Sequence, residues 1–388
     1  MHVRKIARGR GLGILAGLLV AATVGVVTGP VAGQAMAAPV ATHGAQHTKK
    51  KSKVKVVFAK PRLAGAHIVL SGRTSPRTTV RIQVRRAAGW RPLGHTKADG
   101  VGRFSMTAQR PAGAQVLRAT VAGHVSPTQK VVPPSDACGV RPVKADGTLW
   151  SCSFVDNFDG TSLDSSKWTP QQLAGNGGDL CYASSDQTIS VSGGALHLAV
   201  VPTGDGTECP ARPDGSRASY AGASVTTWHQ FGQQYGRFEA RIRNPATTRP
   251  GIHDAFWLWP DTRTTSDADW PNTGEIDVME NYTSQASLDI PFLHYSADSG
   301  GAVQGLNTTY SATATPGAWH TYDLTWTADK LQIAVDGKTI LTNTAGASSF
   351  RKAFIVDLTQ ILGNGTDAYN GKVALPSTMD VDYVKVWK

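Results

Sequence analysis

The chain has 388 residues and a formal net charge of +11, a length that leaves room for more than one domain. The charge is split along the chain: residues 1–138 hold 22 Lys and Arg against 2 acidic residues, and residues 139–388 hold 17 against 26. The larger part is therefore net acidic and repels phosphate, which excludes nucleic acid as the main partner. The first elements in chain order concern export. Arg4, Lys5, Arg8 and Arg10 precede an apolar run from Leu12 to Val27, and Ala35-Met36-Ala37 supplies small residues for cleavage. This pattern predicts a signal peptide over residues 1–37 and a secreted, extracellular mature chain with no membrane segment. An uncleaved anchor is the alternative. Residues 38–53 end in a lysine cluster with no apolar pattern and are expected to be a solvated basic linker.

Residues 54–132 read as short strands separated by turn residues. Thr79–Arg85 alternates so that Val80, Ile82 and Val84 share a face. The pattern resembles the small immunoglobulin-like β-sandwich modules of secreted bacterial enzymes. No catalytic constellation occurs there. A spacer role is one expectation, and cell-wall association through the basic charge of this module is another. Trp90 is expected in its core, with sugar stacking as the alternative. Residues 133–149, with Pro133 and Pro134, are expected to link this module to residues 150–388.

The last part predicts an all-β domain. Strand candidates are Ile189–Val191, Leu196–Val201, Ala223–Thr227, Gly236–Arg243, Ala255–Trp259, Glu275–Glu280, Thr321–Trp326, Leu331–Val335, Phe354–Leu358 and Asp380–Trp387. Many strands in one domain, with no convincing helix, imply a two-sheet jelly-roll sandwich. The four cysteines fall into two local pairs, Cys138 with Cys152 and Cys181 with Cys209. Three connectivities are open. The local one closes short loops and is preferred over a zinc site, for which no CxxC or histidine cluster is present.

Glutamate is scarce. Of the four in the chain, Glu208, Glu239, Glu275 and Glu280, two lie within six residues of each other, with Asp277 between them. Grouped carboxylates inside the apolar run Ile276, Val278, Met279 disfavour a strand and repel one another unless a proton, water or cation relieves them. On a regular strand Glu275 and Asp277 share a face and Glu280 lies on the other. A one-residue bulge near Val278-Met279 returns Glu280 to the first face. About four strand rises then separate the two glutamates, so carboxyl groups close enough for a retaining glycosidase require a bent, concave sheet. In such a pair one carboxylate attacks the anomeric carbon and the other serves as acid and then base.

The run Gly274-Glu275-Ile276-Asp277-Val278-Met279-Glu280 resembles the signature of glycoside hydrolase family 16, in its bulged, laminarinase-like form. Tyr235–Arg241, Ala255–Pro260, Trp270-Pro271, His294-Tyr295, Trp319–Tyr322, Val335–Gly337 and Met379–Trp387 extend the resemblance in order over roughly residues 150–388. It implies a jelly roll, a retaining mechanism, Glu275 as nucleophile, Asp277 as its assistant and Glu280 as acid/base. It also implies a polysaccharide substrate, no cofactor for catalysis and a structural calcium held by Asp382. A monomer is expected. Trp257 and Trp270 match positions lining sugar subsites, where flat rings suit a pyranose face, and His294 matches a cleft histidine. Two segments depart from the family pattern, Gly251–Asp254 and Asp357–Gly363. They make His253 and Gln360 candidate replacements for substrate contacts. Glu239 and Arg241 are expected to pair on the sheet surface. Asn281-Tyr282-Thr283 is a glycosylation sequon expected to be fortuitous beside the acid/base. The leading expectation is an endo-hydrolase of β-1,3-glucan. The alternatives are a hydrolase or transglycosylase of another β-glycan, such as agarose or mixed-linkage glucan, and a non-catalytic glycan-binding protein.

Overall fold

Alternation with a period of two organises nearly every element of the structure, a computed structural model that describes residues 54–175, 178–295 and 314–388. The expected signal peptide and basic linker lie outside the described residues. In residues 54–132, the strand Thr79–Arg86 buries Val80, Ile82 and Val84 and exposes Arg81 and Arg85. It belongs to a sheet with Gly89–Lys97, Gln115–Val121, His124–Val125 and Gln129–Val131. A second sheet joins Val57–Phe58, Arg62–Ala64, His67–Arg73 and Arg103–Gln109. Ile68, Leu70 and Phe104 from this sheet share one apolar core with Ile82, Leu117 and Ala119 from the other. Trp90 is not in that core. It is half-buried on the outer face, beneath the guanidinium of Arg118.

Residues 150–388 form an all-β jelly roll. One hydrogen-bonded order runs from Phe292–His294 through Glu275–Tyr282, Ile252–Pro260, Phe354–Leu362, Tyr220–Thr226 and Ala195–Pro202. It continues through Ser377–Trp387, Gly236–Arg243, Trp319–Trp326, Leu331–Val335 and Lys338–Asn343. The sheet folds over so that its two ends face each other across a common core. Phe256, Leu258, Ile276, Val356 and Leu358 from the first part pack with Phe238, Ile242, Leu324 and Val384 from the second. All ten expected strand runs overlap observed strands. Lys338–Asn343 and Phe292–His294 were not expected; both are short and lack a clear alternation in their sequence.

The two local disulfides form as expected, Cys138–Cys152 and Cys181–Cys209, with Cα separations of 5.5 and 5.6 Å. In the segment 133–149, Ser135–Asp136 pairs with Gly139–Val140, and Asp136 accepts hydrogen bonds from the N–H groups of Cys138 and Cys152. The sequon asparagine is inaccessible: Asn281 is 1% exposed and donates to the carbonyls of Ala286 and Leu288. Glu239 and Arg241 share the outer sheet but do not pair with each other. Glu239 bonds Arg237 at 2.7 Å and the Tyr383 hydroxyl at 3.0 Å, while Arg241 takes Asp382 at 2.6 Å.

Candidate active site

The concave face is built by three adjacent strands, Phe354–Leu362, Ile252–Pro260 and Glu275–Tyr282. Opposite Ile252–Pro260, the register of the carboxylate strand slips by one: Phe256 faces Met279, and the next residue, Trp257, faces Asp277. Val278 is the extra residue. Both Val278 and Met279 turn into the core, fully buried, which returns Glu280 to the face that carries Glu275 and Asp277. The bulge expected from the sequence therefore sits where the motif required it, and apolar burial of two successive side chains holds it there.

Each carboxyl group has its own partner. Trp270 donates its indole N–H to Glu275 Oε2 at 2.6 Å. His294 Nε2 lies 3.3 Å from Asp277 Oδ2, and the His294 and Trp270 rings are 5.3 Å apart. Glu280 accepts from the Tyr282 hydroxyl at 2.7 Å, and His253 Nε2 stands 3.5 Å from its other oxygen. The His253 and Tyr282 rings stack with centroids 4.2 Å apart and planes 5° from parallel. Burial, and then the charge of Asp277, pushes the Glu275 carboxyl up to about 8. Burial and the charge of Glu280 push Asp277 well above the usual carboxylate range. Burial also acts upward on Glu280, but the hydrogen bonds and charge contributed by His253 and Tyr282 outweigh it and hold this group below its ordinary value. Burial therefore acts against charge on Glu275 and Asp277, while the partners of Glu280 favour its ionised form.

Beside Glu275 opens a cleft of about 460 Å³ lined by Trp228, Trp257, Trp259, Gln171, Asp267 and Asp357, among others. Alternation puts Phe256 and Leu258 in the core and Trp257 and Trp259 on the cleft face, their rings 5.8 Å apart. The indole N–H of Trp257 bonds Thr359 Oγ1, and that of Trp259 bonds Asp267, both at 3.0 Å. Asp357 receives Ser224 Oγ at 2.8 Å, and burial pushes its carboxyl up to about 7. Among the described residues, no lysine or arginine lines this cleft. Trp270 is 48% exposed, so one large flat ring is available to a ligand next to Glu275.

Sequence reasoning placed Glu275, Asp277, Glu280, Trp257, Trp270, His294 and His253 on one concave face, and the structure brings them together there. It misplaced Gln360. That side chain is fully buried on the opposite, core face, donating to Asp254 Oδ1 at 2.9 Å and accepting from the N–H of Val200 at 3.1 Å. Ile355 and Asp357 are the residues of that strand that line the cleft, and Thr359 holds the Trp257 indole beside it. Parity in the strand was the available signal: with Val356 and Leu358 in the core, odd positions face the sugar side. Tyr282 was also missed; two residues on from Glu280 it shares that residue's face, which the bulge turns toward Glu275 and Asp277.

Asp382 is engaged by a cation of the chain itself. Its carboxylate is held by the Arg241 guanidinium at 2.6 Å, and a cation there opposes binding of a second one. Among the described residues, Glu275, Asp277 and His294 each place one potential ligand atom within 4.8 Å of the others, and so do Asp136, Cys138 and Cys152. The latter two sulfurs form a disulfide and offer no thiolate.

Carboxyl groups pushed in opposite directions by their surroundings, set beside indole rings at a cleft, define a site for acid–base cleavage of a glycan. The model of glycosyl hydrolases family 16 matches residues 182–384, and the chain belongs to that family. It is 27% identical over 265 residues to the glucan endo-1,3-beta-glucosidase A1 of Niallia circulans, a match covering 61% of this chain and 37% of that protein. It is 26% identical over 253 residues to the keratan-sulfate endo-1,4-beta-galactosidase of Sphingobacterium multivorum, covering 62% of this chain and 54% of that one. This chain therefore spans about half the length, or less, of these two relatives. The fold is shared with the endo-beta-1,3-glucanase of Pyrococcus furiosus, with a TM-score of 0.54, 22% identity and coverage of 63% of this chain and 97% of that one.

Proposed function

We propose that the chain is an exported, retaining endo-hydrolase of a neutral β-glucan, with β-1,3-glucan as its substrate. The observation that carries this reading is the bulge at Val278, which puts Glu275 and Glu280 on one concave face with a separate hydrogen-bond donor for each. Glu275, oriented by Trp270, attacks the anomeric carbon. Glu280 protonates the departing oxygen and then removes a proton from the attacking water. Asp277 lies between them, its carboxyl pushed up by burial and the charge of Glu280. A sugar seated over Glu280 excludes water and favours its protonated form, while Glu275 ionises as the nucleophile.

The cleft chemistry supports a neutral substrate. Among the described residues its lining offers indole faces, hydroxyl and amide groups and three carboxylates, Asp267, Glu275 and Asp357, but no cation for a sulfate or uronate. Keratan sulfate, the substrate named for the Sphingobacterium relative, meets Asp267 and Asp357 there instead of a basic partner. A panel of laminarin, lichenan, agarose and keratan sulfate tests this. Reducing sugar should be released fastest from laminarin; fastest release from keratan sulfate contradicts the neutral-substrate reading. Export is tested by N-terminal sequencing of the mature protein, expected to start at about Ala38.

A further inference from the structure

Residues 54–132 contain 14 Lys and Arg and one acidic residue, Asp99. Asp99 neutralises none of them through its side chain, because its Oδ1 is occupied by the N–H groups of Val101 and Arg103. No ion pair occurs among these described residues. The charge is also sorted by face. In the sheet containing Thr79–Arg86, the even positions Val80, Ile82 and Val84 fill the core, so Arg81 and Arg85 point outward together. Register places Lys97 opposite Thr79, Trp90 opposite Arg85, and Arg118 opposite Gln83 on the same outer face. Lys130 continues the row one strand further, opposite Val116. Strands about 4.8 Å apart then carry cations across a flat surface.

Two of these cations are held in place. The Arg118 guanidinium lies 4.2 Å from the Trp90 ring centroid, and its Nε donates to Gln83 Oε1 at 2.8 Å. The Arg85 guanidinium lies 5.8 Å from the same ring. Trp90 is thus a platform for guanidinium groups rather than for a sugar. Contact with the ring restrains both groups and leaves N–H donors for oxyanions, a use in which arginine differs from lysine. A row of like charges without counterions costs stability; a polymer carrying regularly spaced anions removes that cost.

We infer that the outer face of this sheet, centred on Arg81, Arg85 and Arg118, binds an anionic polysaccharide, a glycan chain bearing carboxylate or phosphate groups. This goes beyond the proposed hydrolytic activity: the ligand is not the cleft's neutral substrate but an anchor that raises the enzyme's local concentration at a charged glycan surface. The test uses the full-length exported protein and two immobilised probes, polygalacturonate for carboxylate and poly(glycerol phosphate) for phosphate. Two triple variants are compared. One is Arg81→Gln/Arg85→Gln/Arg118→Gln. The other is Arg62→Gln/Arg73→Gln/Arg103→Gln, which removes the same charge from the other sheet. The first should weaken binding to at least one probe by about tenfold, the sum expected of three exposed charges, and the second by much less. Both should hydrolyse soluble glucan as the parent does, and raising the salt to about 1 M should release the parent from the probe. Equal losses in the two variants show diffuse charge and overturn the inference. No loss in either, or tighter binding to duplex DNA than to both probes, overturns it as well.

Discussion

The two sandwiches use one construction rule to opposite ends. In residues 54–132, alternation puts Arg81 and Arg85 outside and fills the interior with apolar side chains. In residues 150–388, the same alternation turns carboxyl groups into a concave face and buries Asp277 and Asp357 to within 2% of complete inaccessibility. Burying a carboxyl raises the free energy of its charged form. An element that tolerates this needs compensation from neighbours, and here Trp270, Tyr282, Ser224 and the two histidines provide it. A stretch without such groups has nothing to do with protons and can spend its charge at the surface. Position on the strand, more than composition, separates a reactive carboxyl from a solvated one.

The sharpest way to break this contrast is to remove the nucleophile. Glu275→Gln should lower glucan hydrolysis by about 10⁴-fold or more, read as reducing sugar released, with the fold unchanged by circular dichroism. A residual rate near the parent's places the nucleophile elsewhere. Trp270→Phe keeps the ring but removes the N–H donated to Glu275, and should cost about tenfold in kcat, the worth of one hydrogen bond to a charged group. A change confined to KM assigns Trp270 to sugar binding alone.

The pH dependence sharpens the account of the cleft face. Glu275 is pushed up to about 8 and Glu280 is held low, so kcat/KM should be bell-shaped with its alkaline limb near 8. His253→Gln removes an interaction that lowers Glu280, so Glu280 rises and the acid limb moves to higher pH. An unmoved acid limb removes His253 from the control of Glu280.

On the core face of the same strands, Asp254 is fully buried, bonded through Oδ1 to Gln360, and its Oδ2 has no hydrogen-bond partner. Burial raises its carboxyl to about 7. The raised folded value means that Asp254 favours folding while protonated, and that this contribution fades as pH climbs from the unfolded value through about 7. Asp254→Asn should therefore raise the Tm at pH 8 to 9, by about 1–3 kcal/mol of stability, with little change at pH 4. The smallest effect on activity is expected from the other sandwich. Ile82→Ala opens a cavity in its core costing about 2–5 kcal/mol, seen as earlier proteolysis within residues 54–132, while hydrolysis of soluble glucan stays at the parent rate.

Much of the cleft was legible because its logic is local. Two glutamates and an aspartate five residues apart cannot share one face of a regular strand, so the sequence itself required an irregularity, and Val278 and Met279 were the apolar residues available to supply it. Asp357 and Gln360 show where local logic stops. Both stand in a segment that departs from the family pattern, and chemistry alone made the glutamine the more attractive sugar contact. Its partner, Asp254, is another polar residue buried in the core, and nothing in either segment announces that they meet 106 positions apart. Asp382 fails for a similar reason. Arg241 comes to it from a neighbouring strand whose register shifts between Arg241 and Ile242, and cross-strand partners at a bulge are not readable from one strand. The disulfides were legible because each closes over a short sequence distance.

The central claim is that Glu275 and Glu280, brought to one face by the bulge at Val278, cleave a β-glycan by double displacement. The stereochemistry of the first product tests it most directly. Proton NMR during the first minutes of laminarin hydrolysis should show the β-anomer of the new reducing end, with the α-anomer growing in only at the rate of mutarotation. An α-anomer formed first means a single inverting displacement, with a water between the carboxyl groups, and contradicts the roles assigned to Glu275 and Glu280.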